Sequence, residues 1–429
     1  MKLLIISHPP VATQNNMGKT FLSLLSRFDR DELCQLYIYP SFPDVDRCAS
    51  WYRVTDKEVL RSWLGHRNIG AEVPGEAVRA DQGMYENEAD RALYRNRKNK
   101  SALRRLARDA MWKFSPWYNR NLIQWLDRQA PDCIFVAPGV GKFLYDMALK
   151  ISRERRIPVV TYICDEYYFV RNPDSGLDRI RLALLRRKIG QLMENTSHLV
   201  VISQELKDAY SEKFGVEASV LMTGASGPEG SSVKRDTPRN LCYFGNVRCN
   251  RYVSLARIGR ELDTINQETG ENYRLKIYTG ERDPEILKVL SEPSSVELCG
   301  FVAGVEYEKA FSQADLLLHT EAFDEASMDF TRHSVSTKIA EALASGIPLV
   351  AYGPECLSSM KHLLRHGCAL TATEPEALHC VLRKAFEDAS AREIVVRRAA
   401  ETAQTCHDSH RNSLALREII EKVLSEQNG

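Results

Sequence analysis

The chain has 429 residues, 44% of them hydrophobic and 27% charged, with a formal net charge of +1. This length exceeds one ordinary core and suits two α/β domains. The near-balanced charge excludes a general nucleic-acid binder, which needs a clear basic excess.

Eleven cysteines occur singly, with no Cys-x-x-Cys pair and no His/Cys cluster at metal spacing. They read as small core hydrophobes in a reducing compartment, and no metal or cofactor is expected. The apolar run at Met1–Ser7 is too short for a signal-peptide core, and no window approaches the roughly 18 apolar residues of a span. The expected location is cytoplasmic.

Short apolar runs alternate with helix-length amphipathic stretches, the pattern of parallel sheets covered by helices. The first run is Leu3 to Ser7. It leads through Ser7-His8-Pro9-Pro10 into a loop ending Asn15-Asn16-Met17-Gly18-Lys19-Thr20, where Gly18 would let backbone approach a ligand. A P-loop would need glycine where Thr13 stands, so a nucleotide triphosphatase is disfavoured. Asp44-Val45-Asp46 follows Pro43 in a turn and is no persuasive metal motif.

Further strands are predicted at Cys34–Tyr39, Cys133–Ala137, Val159–Cys164 and Leu199–Ser203, with helices at Ala102–Phe114 and Ser175–Thr196. Between Lys98 and Trp125, cations alternate with Trp112, Phe114, Trp117, Tyr118 and Trp125. One reading is a peripheral patch on an anionic membrane. The other buries the tryptophans, with Leu103, Leu106, Ala110 and Phe114 as a packed helical stripe. Asp165 and Glu166 stand at the carboxyl end of the Val159 run, where carboxylates can hold or activate an acceptor hydroxyl; Asp165 could instead cap a helix.

Residues 226–238 are glycine-, serine- and proline-rich and read as a linker between domains at 1–225 and 239–407, with helix 408–429 returning to the first. Beyond the linker the alternation restarts at Leu241–Gly245, Leu275–Thr279, Val296–Leu298, Leu316–His319 and Pro348–Tyr352, and ends in a helix at Ser413–Leu424. Open sheets of this kind bind ligands beyond the carboxyl ends of their strands, so two of them imply a cleft between domains.

The segment Ser334 to Val350 is the most informative. Ser334, Ser336 and Thr337 are helix-capping residues, Gly346 is a C-terminal stop, and Pro348 opens a strand. Lys338 and Glu341 are three apart and share a helix face. Free N–H groups with a lysine suit a diphosphate, and a carboxylate one turn on suits two ribose hydroxyls. A capped surface helix with an ion pair is the simpler alternative.

Glu341-Ala342-Leu343-Ala344-Ser345-Gly346-Ile347-Pro348-Leu349-Val350 resembles the donor-site helix of retaining GT-B glycosyltransferases, family 4 and its relatives. The resemblance implies two Rossmann-like domains facing a cleft, with Glu341 on the ribose and Lys338, Ser336 and Thr337 near the diphosphate. Many relatives carry a glutamate at the position of His333; His333 itself, Glu321 or Glu325 could make that sugar contact. Leu241 to Arg251 resembles the loop opening the donor domain, with Gly245 and Asn246 in the turn and Arg248 or Arg251 neutralising phosphate. Thr279 and Gly280 resemble the next turn, and Phe301 and Val302 the residues flanking the base.

The resemblance implies metal-independent transfer of a sugar from a nucleoside diphosphate sugar to a carbohydrate or lipid-linked acceptor, with retention of configuration, in a setting such as surface polysaccharide assembly. A nucleotide-sugar epimerase and a non-catalytic partner of another transferase are the alternatives.

Overall fold

The computed structural model describes residues 1–13, 15–65, 69–78, 102–170, 175–225 and 237–428. Lys98 and Lys100, and most of the expected linker, lie outside the described residues. The chain divides into two compact units, Met1–Met222 with Ser409–Gly429, and Thr223–Asp408.

The first unit is built on an eight-stranded sheet. Its strands are β1 (Leu3–Ser7), β2 (Leu33–Tyr37), β3 (Ser50–Arg53), β4 (Ala71–Glu72), β5 (Cys133–Ala137), β6 (Val159–Ile163), β7 (His198–Val201) and β8 (Ala218–Val220). Their order is β4-β3-β2-β1-β5-β6-β7-β8, and every pairing is parallel except that of β3 with β4. Every residue of β1, β2, β5, β6 and β7 is buried, as helices on both faces require. The helix Ser409–Asn428 belongs to this unit: Ser23 Oγ donates to Ser409 Oγ at 3.0 Å, and Arg417 forks onto the Glu32 carboxylate at 2.7 and 2.8 Å.

The second unit has six parallel strands: β9 (Asn240–Phe244), β10 (Arg274–Tyr278), β11 (Val296–Gly300), β12 (Leu316–Thr320), β13 (Leu349–Tyr352) and β14 (Leu370–Ala372). Their order is β11-β10-β9-β12-β13-β14. Alternate residues of β9 enter opposite cores: Leu241 and Tyr243 join Leu255, Leu262 and Tyr352, while Cys242 and Phe244 join Phe311, Ile339 and Leu343. The helix Thr337–Ala344 therefore packs on the Phe244 face of the sheet. The chain runs outward from β9 to β11, then restarts at β12 on the other side. Connections diverge at β9 and β12, and this reversal opens a crevice beyond their carboxyl ends.

The basic, aromatic stretch buries its tryptophans, as its second sequence reading expects, but not the aliphatic stripe of that reading. The helix Ala102–Lys113 buries Trp112, not the expected stripe: Leu103, Ala110 and Phe114 are exposed and Leu106 is half-buried. Trp112 and Trp125 are fully buried and Trp117 nearly so. Trp112 stacks on Phe143 and donates Nε1–H to Asp56 at 2.7 Å, while Trp125 donates to Ser50 Oγ. Indole groups with a buried acceptor beat aliphatic residues for the inner face because they bury more area and satisfy the ring N–H.

Candidate active site

The switch point of the second sheet is spanned by an ion pair. The loop after β9 delivers Arg251, the first residue of the helix Arg251–Thr269, and Glu321 follows directly on β12. Arg251 Nε and a terminal guanidinium nitrogen reach the two Glu321 oxygens at 2.9 and 3.0 Å. Glu321 is buried and held from several sides: Ser254 Oγ donates to its carbonyl at 2.8 Å, and its own N–H bonds Tyr352. A Cβ on Gly353 would lie 3.0 Å from the Glu321 Cβ and 3.3 Å from its nitrogen, so glycine leaves room for that backbone. Buried His319 lies 3.7 Å from the same carboxylate, and desolvation lowers its pKa below the ordinary histidine value.

The turn before Arg251 is tight. Cys249 and Asn250 both have left-handed backbone, and Asn246 Oδ1 accepts from the Arg248 N–H at 2.7 Å. Gly245 N–H bonds the Tyr278 carbonyl, which ties this loop to β10. Arg248 Nε lies 3.0 Å from Glu281 Oε2 in the loop after β10. That hydrogen bond holds the Glu281 carboxyl down at about 2. Thr279 is buried, and Gly280 lies against the ring of Phe301, which is exposed; Val302 packs into the core instead.

The helix Thr337–Ala344 presents its N-terminus toward the same strand ends, because it runs from the end of β12 back to the start of β13. Ser336 is its N-cap, accepting from the Lys338 N–H at 3.4 Å, and Gly346 stops it with a φ of 72°. Thr337 is the first helical residue, and Ser334 lies in the preceding turn. Lys338 and Glu341 share one neighbour. Tyr307, in the first turn of the helix Val305–Ser312, stands with both: its hydroxyl donates to Glu341 Oε2 at 2.6 Å, and Lys338 Nζ lies 4.7 Å over its ring. Phe244 and Phe311 pack on the Tyr307 ring. Burial, with Glu341 beside it, pushes the phenol above its ordinary pKa, so it remains a donor.

Of the residues expected from sequence, Arg248, Arg251, Glu321, Lys338 and Glu341 lie on these loops and this helix; Tyr307 and Glu281, which sequence reasoning missed, pair with two of them. Each missed residue comes from a separate loop or helix and carries no motif of its own. His333 is half-buried in the turn between the helices Glu325–Thr331 and Thr337–Ala344. Glu325 begins the first of these helices, capped by Asp324.

In the first unit, Glu166 is buried beyond β6, and its Oε1 accepts the N–H groups of Tyr168 and, at 2.8 Å, Phe169. Burial raises its carboxyl to about 7. Asp165 accepts from Tyr167 Oη at 3.2 Å, and the helix Gly176–Met193 is capped by Ser175 rather than by Asp165. Gly18 is buried, and its N–H is taken by the Asn15 side chain at 2.6 Å. A Cβ there would lie 2.2 Å from the Ala12 carbonyl oxygen, so its close approach is to its own loop rather than to an open space. Asp44 accepts from Thr13, and Asp46 pairs with Arg30.

No protein-family model matches the chain, and no curated protein matches it in sequence. Solved structures do. A sucrose-phosphate synthase from Thermosynechococcus elongatus superposes with a TM-score of 0.62 at 10% identity, covering 99% of this chain and all of that one. The Anabaena protein HepE, solved with UDP and glucose, gives 0.60 at 13% identity, covering 98% and 100%. A UDP-forming α,α-trehalose-phosphate synthase from Burkholderia vietnamiensis gives 0.59 at 10% identity over 98% and 100%. The likeness runs the length of both chains in each case, and it identifies the fold as GT-B, two Rossmann-like units in one chain.

Proposed function

We propose that the chain is a glycosyltransferase that moves a sugar from a nucleoside diphosphate sugar to an acceptor hydroxyl. The observation that carries this is the grouping of Lys338, Glu341 and a capped helix N-terminus beside the switch point, with two arginines across the loops. The positive end of this helix and Lys338 suit a diphosphate, and Glu341 suits the ribose hydroxyls. Charge developing on the leaving diphosphate would be stabilised by Lys338, by Arg248 or Arg251, and by the helix end at Thr337. Those cations can act without a metal. Phe301, exposed beside Gly280, offers a face to the base.

Sugar transfer with retention, to a carbohydrate or lipid-linked acceptor, completes the reading, with Asp165 and Glu166 of the first unit as the groups for an acceptor. HepE, with UDP and glucose, and the UDP-forming trehalose-phosphate synthase lend it support, since both handle uridine nucleotides on the same fold. His333 takes the sugar-side position in this reading.

A second reading is a non-catalytic partner of another transferase. It is favoured by the engagement of both arginines with carboxylates, Arg248 with Glu281 and Arg251 with Glu321. Nucleotide release separates the two. Incubation with uridine, guanosine, adenosine and cytidine diphosphate sugars and a mixture of sugar acceptors should free one nucleoside diphosphate. Lys338→Ala should slow that release about 100-fold or more. Release at the buffer rate with every donor would favour the non-catalytic reading.

A further inference from the structure

The helix Ala102–Lys113 wears its apolar stripe outward. Leu103, Ala107, Ala110 and Phe114 follow one another at helical spacing along one face, and all four are exposed, Leu103 by 61% and Phe114 by 68%. Such a stripe ordinarily faces a core. Here the opposite side is pinned instead, by Trp112 and Arg108 on the buried carboxylate of Asp56.

The stripe continues onto a neighbouring element. Trp63, 58% exposed, meets Phe114 edge to face with ring centroids 6.4 Å apart, and its Nε1 reaches the Met111 carbonyl at 3.4 Å. Leu60 and Leu64 stand beside Trp63 in sequence and are 58% and 79% exposed. Arg61, Arg104 and Lys113 are exposed on the same two segments, Arg104 and Lys113 flanking the stripe, and Lys113 Nζ lies 5.6 Å from the Phe114 ring centre. The carboxylates of these segments are engaged within the unit: Asp56 is taken by Arg108, Glu58 accepts the N–H groups of Thr55 and Gly70, and Asp109 lies 3.4 Å from Lys142.

We propose that this face docks on an anionic lipid bilayer, with the helix lying in the membrane plane and Trp63 and Phe114 entering the headgroup boundary. Cations beside large amphipathic aromatics are the composition of interfacial helices. A second copy of the chain fits less well, because a two-fold contact would set these cations against their own images, and the centres of protein interfaces are depleted of charge. The proposal stands independently of the donor-site reading.

Vesicle binding of the full chain tests it. Of the five tryptophans, Trp51, Trp112, Trp117 and Trp125 are buried, so a change in emission reports Trp63. Vesicles of phosphatidylcholine with one-third phosphatidylglycerol should sediment the protein and shift its emission to the blue, and phosphatidylcholine alone should do neither. Trp63→Ser with Phe114→Ser, and separately Arg104→Glu with Lys113→Glu, should each weaken binding about tenfold or more while leaving the melting temperature unchanged. No sedimentation with the anionic vesicles at low salt would overturn the proposal, as would binding that both variants retain. A dimer in sedimentation equilibrium that Trp63→Ser with Phe114→Ser dissociates would overturn it in favour of a second copy.

Discussion

Tyr307 donates its hydroxyl to Glu341 Oε2 at 2.6 Å, so the carboxylate assigned to ribose is oriented by a residue 34 positions earlier in the chain. Phe244 and Phe311 hold the ring, and Lys338 rests on its face. Tyr307→Phe keeps that packing and removes only the hydrogen bond. It should weaken nucleoside diphosphate binding by up to about 1.5–3 kcal/mol, the worth of a hydrogen bond to a charged group. It should also narrow the preference for ribose over 2′-deoxyribose, both read by calorimetry. Unchanged affinity for both nucleotides would mean that Tyr307 only packs.

The Arg251–Glu321 pair is nearly closed to solvent on the carboxylate side. Glu321→Ala leaves the guanidinium without its fork and should cost about 3 kcal/mol in urea unfolding. Arg251→Met combined with Glu321→Leu removes both charges and should recover most of that loss. If the double variant is as unstable as the sum of the single ones, the pair is not coupled as its geometry implies.

Gly18→Ala should destabilise the first unit by about 1–3 kcal/mol, because the added methyl meets the backbone of Ala12 rather than a movable side chain. Thermal unfolding checks this, and a variant that melts with the parent would show that the loop can yield.

Glu166 makes stability depend on pH. Its carboxyl titrates near an ordinary 4.5 when unfolded and at about 7 when folded, because burial penalises the charge. The folded chain therefore holds the proton more tightly. Its contribution is full below pH 4.5 and is lost as pH rises through 7, by at most about 3 kcal/mol. Glu166→Gln keeps an oxygen for the Tyr168 and Phe169 N–H groups and has no proton to lose. The variant should lack that decline, so its advantage over the parent grows between pH 5 and 8. Parallel stability curves would contradict the assignment.

Much of the architecture was legible because buried parallel strands are continuous apolar runs. Leu3–Ser7 and Cys133–Ala137 were read to the residue. The strands Ser50–Arg53, Ala71–Glu72, Ala218–Val220 and Leu370–Ala372 were not, being short and partly polar. Around the site, Lys338 and Glu341 were legible because cap, charge spacing and stop lie in one segment. Tyr307 and Glu281 reach the site only through the sheet order, which no local pattern encodes. The helix Ala102–Lys113 shows the complementary limit. Periodicity located a stripe at Leu103 and Phe114 but not the direction it faces, which the indole of Trp112 and its bond to Asp56 decide.

The central claim is that the second unit holds a nucleoside diphosphate through Lys338 and Glu341, and the melting shift with UDP, GDP, ADP and CDP tests it most directly. A ligand at 100 times its Kd stabilises the folded chain by about 2.7 kcal/mol. One nucleotide should raise the melting temperature of the parent, and Glu341→Ala should abolish the rise while folding normally. No rise with any of the four, in a folded sample, would contradict the claim.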